Sequence, residues 1–367
     1  MNHTLNTRLL QFTTYLQRDL FAWQEQEKLD MTPKLLEIIR VLEFVQIERY
    51  VPSYRGCIGR HGECRPEIAR AFVAKEVLNL PTTEALIDRL KVDISLRRIC
   101  GFEKSKEIPG SWTFSRAYAE FAALDLPART HEALIKRELG DQLIGHMKYD
   151  GTAIEAREKA VAKPVEEKKP KHKRGRPRKG EARPAKELTV LEKQKTQSLA
   201  QMLKEMPKDC DIGCKKNSKG YKETWRGYKL HIATADGDIP VAALLSSASM
   251  HDSGAMLPLM KIAQQRVASL YDVADSAYCS IIIRDESRKA GHVSLIEHNP
   301  RNGEKIVFAP HEAQRYKERS GAERPNSHLK DNRGGRTIRV RGHDKVYTHL
   351  MFGILSIAAE QLLRLLT

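Results

Sequence analysis

The chain has 367 residues, enough for two or three domains with ample core for at least one. Lysine and arginine outnumber aspartate and glutamate by 63 to 47, a net charge of +16, which favours a polyanionic partner, nucleic acid ahead of a membrane surface, since no basic amphipathic helix stands beside an aromatic anchor. Six cysteines without a signal-peptide pattern at the N-terminus point to reduced thiols in a cytoplasm and argue against a secreted disulfide framework.

Residues 1–140 read as an all-α domain. Apolar residues recur at three- and four-residue intervals in PKLLEIIRVLEFV, PEIARAFVAKEVL, TTEALIDRLKV, TFSRAYAEFAAL and HEALIKRELGDQLI, punctuated by Pro52, Pro66, Pro81, Pro109 and Pro127. From Thr83 onward the pattern suggests helix, turn and second helix, with Thr113, Ser115 and Arg116 opening a possible recognition helix. A plain bundle packed on the rest of the chain is the competing reading. Cys57, His61 and Cys64, and the Cys210-x3-Cys214 pair, lack a second pair at zinc-finger spacing, so scattered free thiols are the default.

Residues 141–367 read as a second, α/β domain. HMKYDGTAIEA alternates apolar Met147 and Tyr149 with polar His146, Lys148 and Asp150, the period of a strand. Residues 157–205 are rich in Lys, Glu, Pro and Arg and poor in aromatics, and are expected to be a disordered insertion. Between Lys168 and Lys186 lie ten basic residues and one acid. At its centre, residues 173–180 carry Arg174-Gly-Arg176-Pro, which resembles the AT-hook core that lays arginines in a narrow A·T minor groove. A generic basic tether on any phosphate backbone fits equally well. Strands are expected at Trp225–Thr234 and Ile239–Ser247 around an Asp236-Gly237 turn, then a helix capped by Asp252. Turn and cap chemistry accounts for Asp236, Asp238 and Asp252. SLYDVADSAY reads as a short strand ending at Asp275, with Asp272 as a rival acid. Further strands are expected near HVSLIEHNP and KIVFAP. The apolar run Leu350–Ala359 is half a membrane span and fits a buried helix from Lys345 to Leu366, with Glu360 and Arg364 at its wetter edge.

Between these last elements, YKERSGAERPNSHLK sets Tyr316, Arg319, Glu323 and Lys330 at spacings of three, four and seven. On a continuous helix they would fall within roughly 60° of one another along about 20 Å. A solvated charged face is the bland meaning of such a row. The spacing Y-x2-R-x3-E-x6-K, however, resembles the signature of bacterial insertion-sequence transposases of the DDE type at every specified position. Asp150-Gly-Thr resembles that family's first-aspartate motif, Asp275-x-x-Tyr278 its second, and the N-terminal helices its N-terminal domain. Tyr278 is the reason to prefer Asp275 over Asp272. His231 in YKLH resembles a family strand position of unclear role.

The resemblance implies a ribonuclease-H-like mixed sheet with flanking helices as catalytic core, in which Asp150, Asp275 and Glu323 hold two Mg²⁺ ions, replaceable by Mn²⁺. It further implies cleavage of double-stranded DNA at transposon ends, strand transfer to target DNA, a homodimer assembled on DNA and a cytoplasmic, nucleoid-associated protein. Tyr316, Arg319 and Lys330 would contact phosphates near the cleaved end, and Arg174 and Arg176 would bind through the insertion. Arg333, Arg336, Arg339, Arg341 and Lys345 would extend the phosphate track. Only 48 residues separate Asp275 from Glu323, so the core is expected to be close to minimal, and the absence of tryptophan there argues against a hairpin pathway. Gly321 and Pro325 flank Glu323 and predict a kink or a fresh helix start. A non-catalytic DNA-binding derivative and a nuclease without strand transfer are the alternatives; three acids facing a polyanion favour the enzyme.

Overall fold

The computed structural model describes residues 31–52, 64–162, 187–216, 219–300 and 304–366. Its N-terminal part is helical as expected, with α1 (Pro33–Val45), α2 (Arg65–Val77), α3 (Thr83–Val92), α4 (Ile94–Cys100), α5 (Ser111–Ala123) and α6 (Leu126–Leu139). Thr32, Thr82 and Asp93 cap three of these by accepting from the backbone N–H three residues on, and Pro33 and Pro66 sit where a helix has no N–H to lose. Phe72 gathers Phe114 and Phe121 edge-to-face at 5.8 and 6.3 Å.

The sheet has β1 (Leu143–Glu155), β2 (Asp211–Lys216), β3 (Lys222–Thr234), β4 (Pro240–Ser247), β5 (Ala268–Ala274) and β6 (Val293–Ile296). β3 lies antiparallel to β1 and offers its other edge to β2 and β4 in turn, while β5 runs parallel to β1 and β6 parallel to β5. This is the mixed sheet that the ribonuclease-H-like expectation requires. The chain continues around it as α7 (Val190–Gln194), α8 (Leu199–Glu205), α9 (Asp252–Gln264), α10 (Ile281–Lys289), α11 (Pro310–Tyr316), α12 (Glu323–Asn332) and α13 (His343–Leu366).

Strand alternation sorts the sheet into two faces. Ile154, Leu230 and Ile232 pack under Leu329 of α12 and Leu350 and Ile354 of α13. Met147, Tyr149, Ala233 and Leu244 turn the other way, into a cluster that includes Met256 and Met260 of α9. That second cluster runs on without a break through Phe352 into the N-terminal helices, so the helical part and the sheet share one core. The helix α13 is long and apolar enough to cross a membrane by length and composition, yet 67% of that stretch is buried inside the molecule. It is a core helix, with Glu360 and Arg364 toward its wetter edge as read from the sequence.

Several expectations need correction. Residues 187–205 do not belong to a disordered insertion. They form α7 and α8, each opened by a capping box (Thr189 with Glu192, Ser198 with Gln201). Buried Met202 and the Gln194 side chain, which donates to the Gly254 carbonyl at 2.8 Å, fasten them to the fold. Average composition hid this because the few apolar residues are spaced for one packed stripe. The AT-hook-like segment, with Arg174 and Arg176, lies outside the described residues. KIVFAP is not a strand: Ile306 and Val307 are 70% and 80% exposed, and Pro310 starts α11. Asp252 is not the cap of α9. His251 takes that role, with Nδ1 accepting from the Ser253 N–H.

Candidate active site

The parallel ladder between β1 and β5 ends at the pair Tyr149↔Ala274. Asp150 and Asp275 are therefore the next residues on two neighbouring strands, which lie about 4.8 Å apart. Burial, and then the charge of Asp275, push the Asp150 carboxyl up to about 6, against the hydrogen bond from Asn326 and the charge of Arg319. Burial also raises Asp275, whose Oδ1 accepts from the Ala277 N–H at 2.9 Å. Two half-buried acids side by side, each disfavoured in its ionised form, are what a hard cation would relieve.

The signature segment lies across this same face. It is not one continuous helix: α11 ends at Tyr316, a 3₁₀ turn covers Lys317–Ala322, and α12 begins at Glu323 with Pro325 in its first turn. The fresh start predicted from Pro325 is what the chain adopts. Gly321 lets the turn come down on the sheet, since a Cβ there would stand 2.7 Å from Lys148 Nζ and 2.9 Å from Asp238 Oδ1. Lys148 is 2% exposed and faces Asp236 at 3.5 Å and Glu318 at 3.8 Å. Further along, Arg324 pairs with Asp238 at 2.8 Å, Asn326 Nδ2 donates to Asp150 Oδ2 at 2.8 Å, and Lys330 Nζ donates to Thr152 Oγ1 at 2.6 Å. The Asp-Gly-Thr strand is thus gripped at both its acid and its threonine.

Arg319 stands between the remaining two acids, 2.8 Å from Glu323 and 3.8 Å from Asp275. Glu323 is 59% exposed and also borders an open cleft of about 630 Å³ with Arg324, His328, Asp331 and Arg364. In this arrangement its carboxylate is held by the guanidinium, and among the described residues no three His, Cys, Asp or Glu side chains converge closely enough to hold a metal ion. Tyr316 donates to Glu297 at 3.5 Å and packs on Phe308; burial, then the charge of Glu297, push its phenol up to about 12. Burial, and then the charges of Lys215 and Arg336, lower Lys330.

The predicted cations therefore divide. Arg319 meets Asp275 and Glu323 and Lys330 meets Thr152, while Arg336, Arg339, Arg341 and Lys345 are exposed, Arg336 pairing with Asp331 at 2.8 Å. Arg333 is turned inward, 3% exposed, and bridges Glu37 of α1 and Glu360 of α13 at 2.7 Å each. It ties the signature helix to the N-terminal helices and is not open to a phosphate. In the possible recognition helix α5, Ser115 and Arg116 are exposed, Thr113 is partly so, and Trp112 is 80% exposed.

Beneath Asp150, on the opposite face, Gly151 admits a second polar group, because a Cβ there would lie 2.8 Å from Asp252 Oδ1 and 3.2 Å from His231 Nδ1. Lys229 pairs with Asp252 at 3.1 Å, and His231 Nε2 meets Ser246 Oγ at 2.9 Å. Burial lowers the His231 imidazole to about 4, so it is neutral at pH 7. The hydroxyl of Tyr278, buried without a hydrogen-bond partner, is raised well above the phenol range by burial, then by Asp252, Asp150 and Asp275.

Asn326 was missed from the sequence, where its place in the helical row is visible but its meeting with Asp150 is not. It lies three residues after Glu323 and four before Lys330, on the same stripe, but a neutral amide does not draw the eye in a search for charge. Gly151, Lys148 and Thr152 show their roles only through contacts distant in sequence.

A family model described as a transposase DDE domain matches residues 144–358, and another, described as a transposase domain (DUF772), matches residues 23–120. No curated protein and no solved structure matches the chain. The first match takes in every strand, from β1 through the signature segment and into α13, and covers more than half of the chain. This chain belongs to the family of transposases with a DDE domain.

Proposed function

We propose that the protein cleaves double-stranded DNA at transposon ends and joins the freed 3′ ends to target DNA, using divalent metal at Asp150, Asp275 and Glu323. The observation that carries this reading is the side-by-side pair of Asp150, within β1 just past its ladder with β5, and Asp275, just after β5, each raised by burial, beneath a segment that supplies a third acid and two cations. These oxygen ligands suit Mg²⁺, with Mn²⁺ as a substitute; bound there, metal would supply charge neutralisation at the reacting phosphate and activation of the attacking oxygen. Glu323, largely exposed, reaches the other two acids by rotating away from Arg319. Arg319 is then released to a phosphate, where its planar fork makes a bidentate contact, and Lys330 adds a point charge beside Thr152. Tyr316 orients the cleaved end. Arg336, Arg339, Arg341 and Lys345 continue the track as exposed cations. The basic segment with Arg174 and Arg176, and the α5 surface, bind DNA outside the centre. Two ends must be joined, so the working form is a homodimer on DNA, acting at the bacterial nucleoid.

The test is Mg²⁺-dependent nicking and joining of a labelled duplex carrying the element's own ends, by wild type and Glu323→Gln, with duplex binding measured alongside. Nicked and joined products from the wild type, lost in the variant while binding persists, are expected. Nicking without joining would leave a nuclease. Binding with no metal-dependent cleavage by the wild type would sink the catalytic reading.

A further inference from the structure

Asn326 is 5% exposed and lies against Asp150. Its Nδ2 donates to Asp150 Oδ2 at 2.8 Å and lies 3.4 Å from the Ala322 carbonyl oxygen. Both neighbours are acceptors, so turning the amide over would set oxygen against oxygen. The orientation is therefore determined, and it leaves Asn326 Oδ1 buried with no hydrogen-bond donor. Folded proteins keep few such atoms, and one beside a reacting centre calls for an explanation. If the residue only fastened α12 to β1, a donor for that oxygen would be expected within the fold. What the fold presents instead is an acceptor next to an acid whose ionised form burial disfavours.

Resting on the proposed metal-dependent reaction, we propose that Asn326 is a positioning residue of the centre. Its Nδ2 holds the Asp150 carboxylate in one rotamer for the cation, and its Oδ1 accepts from a water of the cation's own hydration shell. Mg²⁺ sheds water reluctantly and keeps several in protein sites. An acceptor already in place for one of them favours the hydrated ion. Partners of this kind, which orient a ligand without being one, typically change metal affinity about 10–100-fold when removed. The location of Asn326 on the stripe between Glu323 and Lys330 couples that function to the signature helix. Movement of α12 onto DNA would carry the amide with it.

The experiment uses the full chain without DNA and Mn²⁺ as the probe, with free Mn²⁺ followed by electron paramagnetic resonance. Wild type, Asn326→Ala, Asn326→Asp and Asp150→Asn are compared, and duplex affinity in chelator and thermal melting are recorded for each. Asn326→Ala is expected to weaken Mn²⁺ binding about 10–100-fold with duplex affinity and melting close to wild type. Asn326→Asp, nearly isosteric, keeps an acceptor but loses the donor and is expected not to rescue; it also carries the test if the alanine variant fails to fold. Wild-type Mn²⁺ affinity in Asn326→Ala would overturn the proposal. So would Asn326→Asp binding Mn²⁺ as tightly as wild type, because the position would then act as a ligand. Equal Mn²⁺ binding by wild type and Asp150→Asn would remove the metal reading of the whole centre, and this inference with it. Asp150-dependent binding that ignores Asn326 removes this inference alone.

Discussion

Asp272 and Asp275 lie three residues apart, so the alternation of β5 turns them to opposite faces of the sheet. Asp272 is fully buried and accepts from Tyr149 Oη at 3.0 Å, Ser287 Oγ at 2.6 Å and His292 Nδ1 at 3.0 Å. Asp275, at the open end of the strand, has the Ala277 N–H and the more distant Arg319, and Asp150 beside it adds a like charge. One acid finds its donors within the fold; the other stands in a group whose negative charge the fold leaves under-compensated. A count of acids could not separate them. Strand parity and the supply of donors do.

The largest expected effect is on chemistry. Asp150→Asn or Asp275→Asn should lower Mg²⁺-dependent cleavage on the order of 10³-fold, whereas Asp272→Asn should leave turnover per folded molecule within about tenfold. Matching losses from Asp272→Asn and Asp275→Asn in equally folded protein would dissolve the distinction. Stability should show the reverse order. Asp272→Ala strands Tyr149, Ser287 and His292 and should cost about 3–5 kcal/mol in urea unfolding. Asp275→Ala should stay within about 1 kcal/mol of wild type or stabilise, since burial already disfavours its charge.

The same contrast applies to the cations. Lys330→Ala should reduce the slope of log affinity against log salt for duplex binding by about 1. Arg333→Ala should leave that slope unchanged and lower the melting temperature, because its partners are Glu37 and Glu360. The smallest effect concerns pH. The hydrogen bond that His292 donates to Asp272, against burial, raises the imidazole above its usual value. The folded protein therefore holds this proton more tightly than the unfolded chain. That stabilisation is complete below about pH 6.5 and is lost as pH rises through the raised value. Urea midpoints of wild type and His292→Gln across this range should converge on the alkaline side. A constant gap would show that His292 acts by packing alone.

Much of the proposed centre was legible because its residues lie in short local patterns. Asp150 ends an alternating run, Asp275 follows an apolar strand, and Tyr316, Arg319, Glu323 and Lys330 keep fixed spacing. Pro325 and Gly321 foretold the break at Glu323, since proline fits a first turn and glycine tolerates a close approach. Arg333 and Arg336 look alike in the sequence, and only packing shows that one is buried between two acids while the other meets solvent. KIVFAP has strand composition, but a strand needs a neighbour for its hydrogen bonds and a surface for its side chains, and this segment joins no sheet and leaves Ile306 and Val307 exposed.

The chain by itself determined the order of helices, strands and acids, because periodicity, caps and turn residues act over a few positions. Tertiary structure alone decided which acid found its donors within the fold, which arginine was buried, and that a neutral asparagine should hold Asp150. Those outcomes depend on donors and acceptors brought together from positions as far apart as Asp150 and Asn326, 176 residues. Spacing along the chain carries no record of such a meeting.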